Sequence, residues 1–344
     1  MMSSPATNTA AATTPSPLPV DNLSTAARNG FAHRVGLFLL AGLALAPVYA
    51  VLAGDAFLLT LLTRILLFAI AATALNLILG YGGMVSFGHA LYLGLGVYAA
   101  VIPAFHGIDN GLVQLLITLL GCGLIGLITG SIVLRTTGIA FIMITLAFAQ
   151  MVFFLFVSLR DYGGDDGLRL ATPTRIAGLD LTDPVTLYAV SFGLLCGVLF
   201  ACHRLVHARF GWVLRGCKVN ERRMKALGFA TFRYRLAAYV LSAMICGMAG
   251  LLYANLTQFG VPSYMSWTVS GELIVMVVLG GMGTLFGPLL GALGMILTEE
   301  GLKALTEHWM IIFGPLIVVV ILVSRLGLAG LLDTLGSART GDTP

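Results

Sequence analysis

FLLTLLTRILLFAIAATALNLIL, residues 57–79, holds one charged side chain, Arg64, in 23 consecutive positions. As a helix rising 1.5 Å per residue the stretch is about 35 Å long, enough to cross roughly 30 Å of hydrocarbon. A helix at the surface of a soluble domain carries a polar face, and this one has none. Lipid is therefore its solvent. Further apolar stretches lie at 36–53, 85–105, 112–134, 139–158, 185–206, 236–257 and 309–325. The expected fold is an all-α, polytopic transmembrane helical bundle of about eight full spans.

The composition agrees. Hydrophobic residues make up 58% of the 344, charged residues 10%, and the mean hydropathy is +0.97. Soluble domains are about 25% charged, so this chain cannot cover a globular surface with water-compatible groups. Its 42 glycines sit largely inside apolar runs, where glycine lets transmembrane helices approach closely or break. Cys122, Cys196, Cys202 and Cys246 fall in or beside those runs and Cys217 lies outside them. With no CxxC and no Cys/His ligand spacing they read as small buried hydrophobes, with neither a disulfide framework nor a metal site. No cofactor is expected.

The net charge of +4 becomes informative once it is located. Residues 207–235 carry eight basic side chains against one acid, Glu221, a local charge of +7 that leaves −3 for the remainder. A short loop this basic belongs in the cytoplasm. With no aromatic platform or binding fold beside it, a nucleic-acid site is not indicated. Residues 1–34 are rich in Ser, Thr, Ala and Pro and are expected to be a disordered cytoplasmic tail. Arg28 and Arg34 precede the first apolar run as in a signal peptide, but that run begins more than thirty residues in and further spans follow it, so it reads as an ordinary first helix. Counting spans from a cytoplasmic amino end puts 159–184, with five acids and three arginines, outside. The same count puts 207–235 and the carboxyl end inside. The domain organisation expected is a tail over 1–34, a transmembrane domain over 35–330 with a cytoplasmic loop at 207–235, and a short tail over 331–344.

Residues 269–300, VSGELIVMVVLGGMGTLFGPLLGALGMILTEE, resist a simple span. Two apolar pieces flank a glycine-rich turn, each too short to cross upright, and a pair of half-helices satisfies the charge rule where one long span does not. Gly82–Gly96, GGMVSFGHALYLGLG, echoes Gly280–Gly294, GGMGTLFGPLLGALG. Such paired breaks in the two halves of a transporter mark the solute's route, because free N–H and C=O groups are tolerated at membrane depth only where they line a cavity. Two independent glycine-rich packing faces are the plainer alternative. The pathway candidates are Gly82, Gly83, Ser86, Gly88, His89, Glu272, Gly281 and Gly283. His89 serves either as a hydrogen-bonding group for solute or a helix break, or as a packed neutral ring. Glu272 meets an amino group or is an interfacial carboxylate, and Arg64 snorkels to the interface.

No catalytic constellation is present. None of the three lysines, Lys218, Lys225 and Lys303, follows a glycine, so the chain lacks the GK[ST] end of a phosphate-binding loop. In the basic loop, Asn220-Glu221-Arg222-Arg223-Met224-Lys225-Ala226-Leu227-Gly228 opens on a capping residue and closes on glycine, which predicts a short bounded helix.

ALNLILGYGGMVSFGHALYLGLGVYAA (74–100), RTTGIAFIMITLAFAQM (135–151), YGGDDGL (162–168), VNERRMKALGF (219–229) and SGELIVMVVLGGMGTLFGPLLGA (270–292) together resemble the M-type permease subunits of branched-chain amino acid ABC importers. The similarity is co-linear from about residue 57 to 330. It implies a permease that is not itself an enzyme, in a bacterial inner membrane. Its partners would be two cytoplasmic ATPase subunits, a second related permease, a periplasmic solute-binding protein and membrane lipid, with no nucleic acid. The resemblance also implies that Arg215, Asn220, Glu221, Ala226, Leu227 and Gly228 belong to the segment that couples to the ATPase. Cys217 and Lys218 stand where the family usually has other residue types. Permeases of urea and short-amide importers carry nearly the same motifs and form the alternative. An ion-coupled secondary transporter would need intramembrane acids, of which Glu272 is the main candidate.

Overall fold

A computed structural model describes residues 34–47, 54, 56–172, 174–176, 178–308, 310–315, 318 and 327–330. Helix α1 (Arg34–Pro47) precedes α2 (Ala56–Asn76), which runs on into a π-helical turn at Leu77–Tyr81. Then come α3 (His89–Phe105), α4 (Gly111–Val133), α5 (Ile139–Ser158), α6 (Pro184–His207), α7 (Arg209–Ala226), α8 (Thr231–Thr257), α9 (Trp267–Gly280) and α10 (Gly287–Leu305). Strand is confined to two short antiparallel pairs among the described residues. Leu168–Arg169 pairs with Phe259–Gly260, and Arg175–Ile176 with Leu179–Asp180.

Five helical stretches are long and apolar enough to cross a membrane: Phe57–Tyr81, Gly111–Val133, Ile139–Ser158, Pro184–His207 and Thr231–Thr257. With the shorter apolar helices α1, α3 and α9 they make an all-α polytopic membrane bundle. Two expectations need correction. The stretch 85–105 is helical only from His89, because 82–88 leave the helix to turn. The basic region 207–235 is mostly helix, α7 followed by the first turn of α8, since Thr231 already starts the next span. The expected spans at 36–53 and 309–325 lie partly outside the described residues, as do nearly all of the 1–34 tail and the whole of 331–344.

Helix α2 is the axis of the bundle. Ile65, Leu66, Leu67, Ala69, Ile70, Ala71, Ala72, Ala74 and Leu75 are all buried, as a helix apolar all round allows. Helices α6, α8 and α10 pack around it, and α8 also lies against α3 and α4. Without a hydrophobic drive between helices in lipid, contact depends on close van der Waals approach at small residues. At Gly250 of α8 an added Cβ would lie 1.9 Å from the Leu93 carbonyl oxygen of α3. The far flank, formed by α4 and α5, turns Leu116, Leu120, Leu124, Met143 and Phe154 outward.

Helices α9 and α10 form an antiparallel hairpin, with Gly280 against Gly287 and Met276 against Gly291. Its open end shares a side with the 160–184 segment, since Gly260 pairs with Leu168 and Arg64 near the start of α2 lies 3.4 Å from Glu299 of α10. Its closed end, residues 281–286, reaches the opposite end of α2. The segment expected to hold a pair of half-helices is thus a helical hairpin, although α10 at 19 residues exceeds a half-helix.

Candidate translocation and coupling site

The site begins where α2 loses its regular pitch. After Asn76 the helix widens into the π turn, a feature frequent at functional sites, and the next residues reverse the chain. The last carbonyls of a helix lack intrahelical partners, and here three of them find one. Leu79 O accepts the Gly83 N–H at 3.1 Å, and Ile78 O accepts the Met84 N–H at 2.9 Å. Gly80 O accepts from Lys218 Nζ at 2.7 Å, across 138 residues of sequence.

The second glycine turn lands on the same spot. Asn76 Oδ1 accepts the Gly283 N–H at 2.9 Å, and Asn76 Nδ2 donates to the Thr284 carbonyl at 2.9 Å. Gly80 has no room for a side chain: a Cβ there would lie 2.0 Å from Asn76 Oδ1 and 2.4 Å from Gly283 N. Both copies of the internal echo therefore fold alike, a glycine turn followed by a new helix, and the second turn packs on Asn76 and Gly80 just before the first.

Three pathway candidates, Ser86, Gly88 and His89, form the entrance to α3. His89 is fully buried. Its Nε2 lies 2.8 Å from Ser242 Oγ and its Nδ1 lies 3.2 Å from Ser86 Oγ. Because the Ser242 hydroxyl donates to the Ala74 carbonyl, its lone pair must accept the His89 Nε2–H, which leaves Nδ1 to accept from Ser86. Both ring nitrogens are thus used by the protein. Tyr92 and Tyr239 meet it edge-on, at 5.6 and 5.9 Å between ring centres. The Ala90 N–H donates to Ser270 Oγ at 3.0 Å, tying α3 to α9. Glu272 is separate. It sits toward the open end of the hairpin within reach of the charges of Glu299, Arg64 and Lys303, about two turns from Gly281.

Helix α7 forms the third part. It breaks at Asn220, whose φ of −158° and ψ of 98° are non-helical. Asn220 Oδ1 accepts the Arg223 N–H at 3.0 Å and so caps a new short helix. That helix ends at Gly228, φ +85°, where the Gly228 N–H reaches Lys225 O and the Phe229 N–H reaches Met224 O, a left-handed glycine stop. Glu221 Oε2 lies 2.8 Å from Arg235 Nη1 of α8, and its Oε1 lies 2.9 Å from Lys225 Nζ. Partial burial pushes the Glu221 carboxyl up, but Lys225 and Arg235 outweigh it and hold it below its ordinary range. Arg215 works on the near side of the break, donating to Val206 O at 3.0 Å and lying over Trp212. Ala226 and Leu227 are exposed, as is Val219.

A cavity of about 350 Å³ lies between these parts, lined by Gly82, Gly83, Met84, Lys218, Glu221 and Arg235 among others. The structure thus brings Gly82, Gly83, Gly281, Gly283 and the α7 residues to one end of the bundle, and sets Glu272 apart. Asn76 and Ser242 had no part in the sequence reading; Arg235 entered it only as one charge of the basic loop, and Lys218 as another such charge, as a lysine outside any phosphate-binding loop and as a departure from the family. An isolated asparagine inside an apolar span, six residues before a glycine pair, is the signal that points to Asn76.

The family described as "Branched-chain amino acid transport system / permease component" matches residues 57–321. The high-affinity branched-chain amino acid transport system permease proteins LivM of Salmonella typhimurium and Escherichia coli are each 26% identical over 291 residues, covering 77% of this chain and 68% of theirs. The probable branched-chain amino acid transport permease protein LivM of Methanocaldococcus jannaschii is 27% identical over 272 residues, 68% of this chain and 77% of its own. No solved structure matches.

Proposed function

The chain belongs to the family of permease components of branched-chain amino acid transport systems, and we propose how this member works within an importer. It is the membrane permease subunit of a branched-chain amino acid ABC importer. Its proposed partners are two ATPase subunits on the α7 side, a second permease along the α4–α5 flank, and a solute-binding protein on the side of the 160–184 segment. The α7 side would then be the cytoplasm of a cell whose inner membrane holds the complex.

The observation that supports this assignment of ends is the meeting of the two glycine turns with α7 around Gly80. Broken helices expose backbone donors and acceptors to a polar solute, and in this chain they stand beside a short, strongly basic helix suited to a partner's push. ATP binding to the partners moves the Glu221–Ala226 helix, and the turns 82–88 and 281–286 change which side they open to. The exposed Leu227 and Val219 are the apolar contacts for that partner. His89, with both ring nitrogens engaged, holds the α3 entrance together and leaves the solute to backbone groups.

The test is reconstitution of this chain with ATPase subunits, a second permease and a solute-binding protein from the same organism. Hydrolysis is measured with leucine, valine, urea and a short amide. Stimulation by leucine or valine is expected, and Glu221→Gln should weaken it. Stimulation by urea or the amide alone would reassign the solute, and uptake by this chain without ATP would overturn the importer mechanism.

A further inference from the structure

We propose that Lys218 is a positioning strut through which α7 sets the conformation of the first glycine turn. The inference rests on the importer reading above and adds a residue to which nothing in the family resemblance assigns a role.

Four observations carry it. The acceptor is one of the last carbonyls of a helix, at the negative end of the macrodipole, where a cation is favoured. With regular pitch lost at the π turn, Gly80 O takes its hydrogen from the ammonium at 2.7 Å. The donor's stem lies along the turn, since a Cβ at Gly83 would come 2.8 Å from Lys218 Cγ. The acceptor residue is itself wedged against the second turn, with Gly283 N so near that no Cβ fits at Gly80. A displacement of Lys218 therefore acts on both turns. Finally, α7 has a second, separate grip beyond its break. Lys218 lies before Asn220 and holds α2, while Glu221 lies after it and holds α8 through Arg235. The break at Asn220 is the point where those two attachments can move relative to each other, and the 350 Å³ cavity beneath gives the turn room to move.

The strength of the contact suits a reversible device. A hydrogen bond from a charged donor contributes a modest net amount, and water replaces it readily in a partly exposed site. A fully buried ion pair would be too costly to break in each cycle.

The test uses two measurements and two variants, Lys218→Met, which keeps the stem and removes the donor, and Lys218→Arg, which restores a donor. The first measurement is amide hydrogen exchange in the detergent-solubilised chain. Exchange across 82–88 should speed up roughly tenfold in the Met variant and return toward wild type in the Arg variant, with α4 and α5 unchanged. Unaltered exchange at 82–88 overturns the proposal, whether or not the chain is an importer. The second measurement is leucine uptake per ATP hydrolysed in the reconstituted complex, scaled to assembled complex. A fall of roughly tenfold in the Met variant, with assembly and unfolding temperature as in wild type and recovery in the Arg variant, supports the strut. Unchanged uptake per ATP, or a loss that only follows loss of assembly, overturns it. A wild-type complex that hydrolyses ATP without moving solute refutes the importer reading instead, and the exchange result then decides the strut alone.

Discussion

Asn76 holds Gly283 across 207 residues of sequence: its Oδ1 accepts the Gly283 N–H at 2.9 Å while its Nδ2 donates to the adjacent Thr284 carbonyl. One side chain thus satisfies a donor and an acceptor that the second glycine turn leaves free. Replacing Asn76 with alanine orphans both. An unsatisfied, partly buried backbone group costs about 1–3 kcal/mol, so Asn76→Ala should lower the unfolding temperature in detergent. Asn76→Asp keeps the acceptor for Gly283 but sets a second carboxylate oxygen against the Thr284 carbonyl at a buried position, so it should lose at least as much. A clear advantage of aspartate over alanine would mean that the Gly283 contact outweighs that penalty.

Gly250 is a sharper case because what it touches is backbone. The Leu93 carbonyl oxygen would sit 1.9 Å from an alanine Cβ at this position, and a carbonyl within α3 cannot step aside as a side chain can. Gly250→Ala should separate α3 from α8 at a cost of about 1–3 kcal/mol or more, read as reduced yield of folded chain and a lower unfolding temperature. Gly121→Ala is the control. It has nothing within 4 Å of the added methyl, and a gain in helix propensity of up to about 1 kcal/mol makes it neutral or slightly favourable.

These two positions show what is legible from a sequence of this kind. Hydrophobic length places α2, α4, α5, α6 and α8 to within a few residues because bilayer thickness is a fixed ruler. The glycine turns are legible too, since Gly82–Gly96 and Gly280–Gly294 repeat each other. What joins the turns is not. The Asn76–Gly283 and Lys218–Gly80 contacts depend on three-dimensional register between segments 138 to 207 residues apart, and no local pattern encodes register. Ser242 gives no signal at all, being one small polar residue among many until the ring of His89 is found against it. In 207–235 a high density of charge argues against a membrane span but not against a helix, and most of the segment is the helix α7.

The Glu221–Arg235 pair gives a pH dependence with a definite sign. The folded carboxyl titrates below its ordinary value of 4.5, so its protonated form binds the fold less well than the charged form. The stabilisation is fully present above the unfolded value and fades as pH falls through the folded one. Stability of the detergent-solubilised chain should therefore drop on acidification below about pH 4.5, and part of that drop should be missing in Glu221→Gln. The carboxylate is partly exposed, so solvent screening keeps the effect small, and added salt should shrink it further. A Glu221→Gln profile superimposable on wild type across this range would show that the pair contributes nothing.

Gly228 tests whether the shape of the short helix matters apart from its charges. Its φ of +85° is a conformation that L side chains avoid, yet nothing lies within 4 Å of where a Cβ would be. Any effect of Gly228→Ala is thus backbone strain and not collision, about 1–2 kcal/mol. Spread over the whole bundle that is little, and the unfolding temperature should hardly change. Concentrated on a six-residue helix stopped by this cap it is large enough to unwind the last turn, where Leu227 stands exposed. Binding-protein-stimulated ATP hydrolysis in the reconstituted complex should fall roughly tenfold, about 1.4 kcal/mol. Gly228→Asn should retain most of it, because asparagine tolerates the left-handed region. If alanine and asparagine behave alike and both are impaired, the partner is reading the absence of a side chain, and the cap geometry is not what transmits the push.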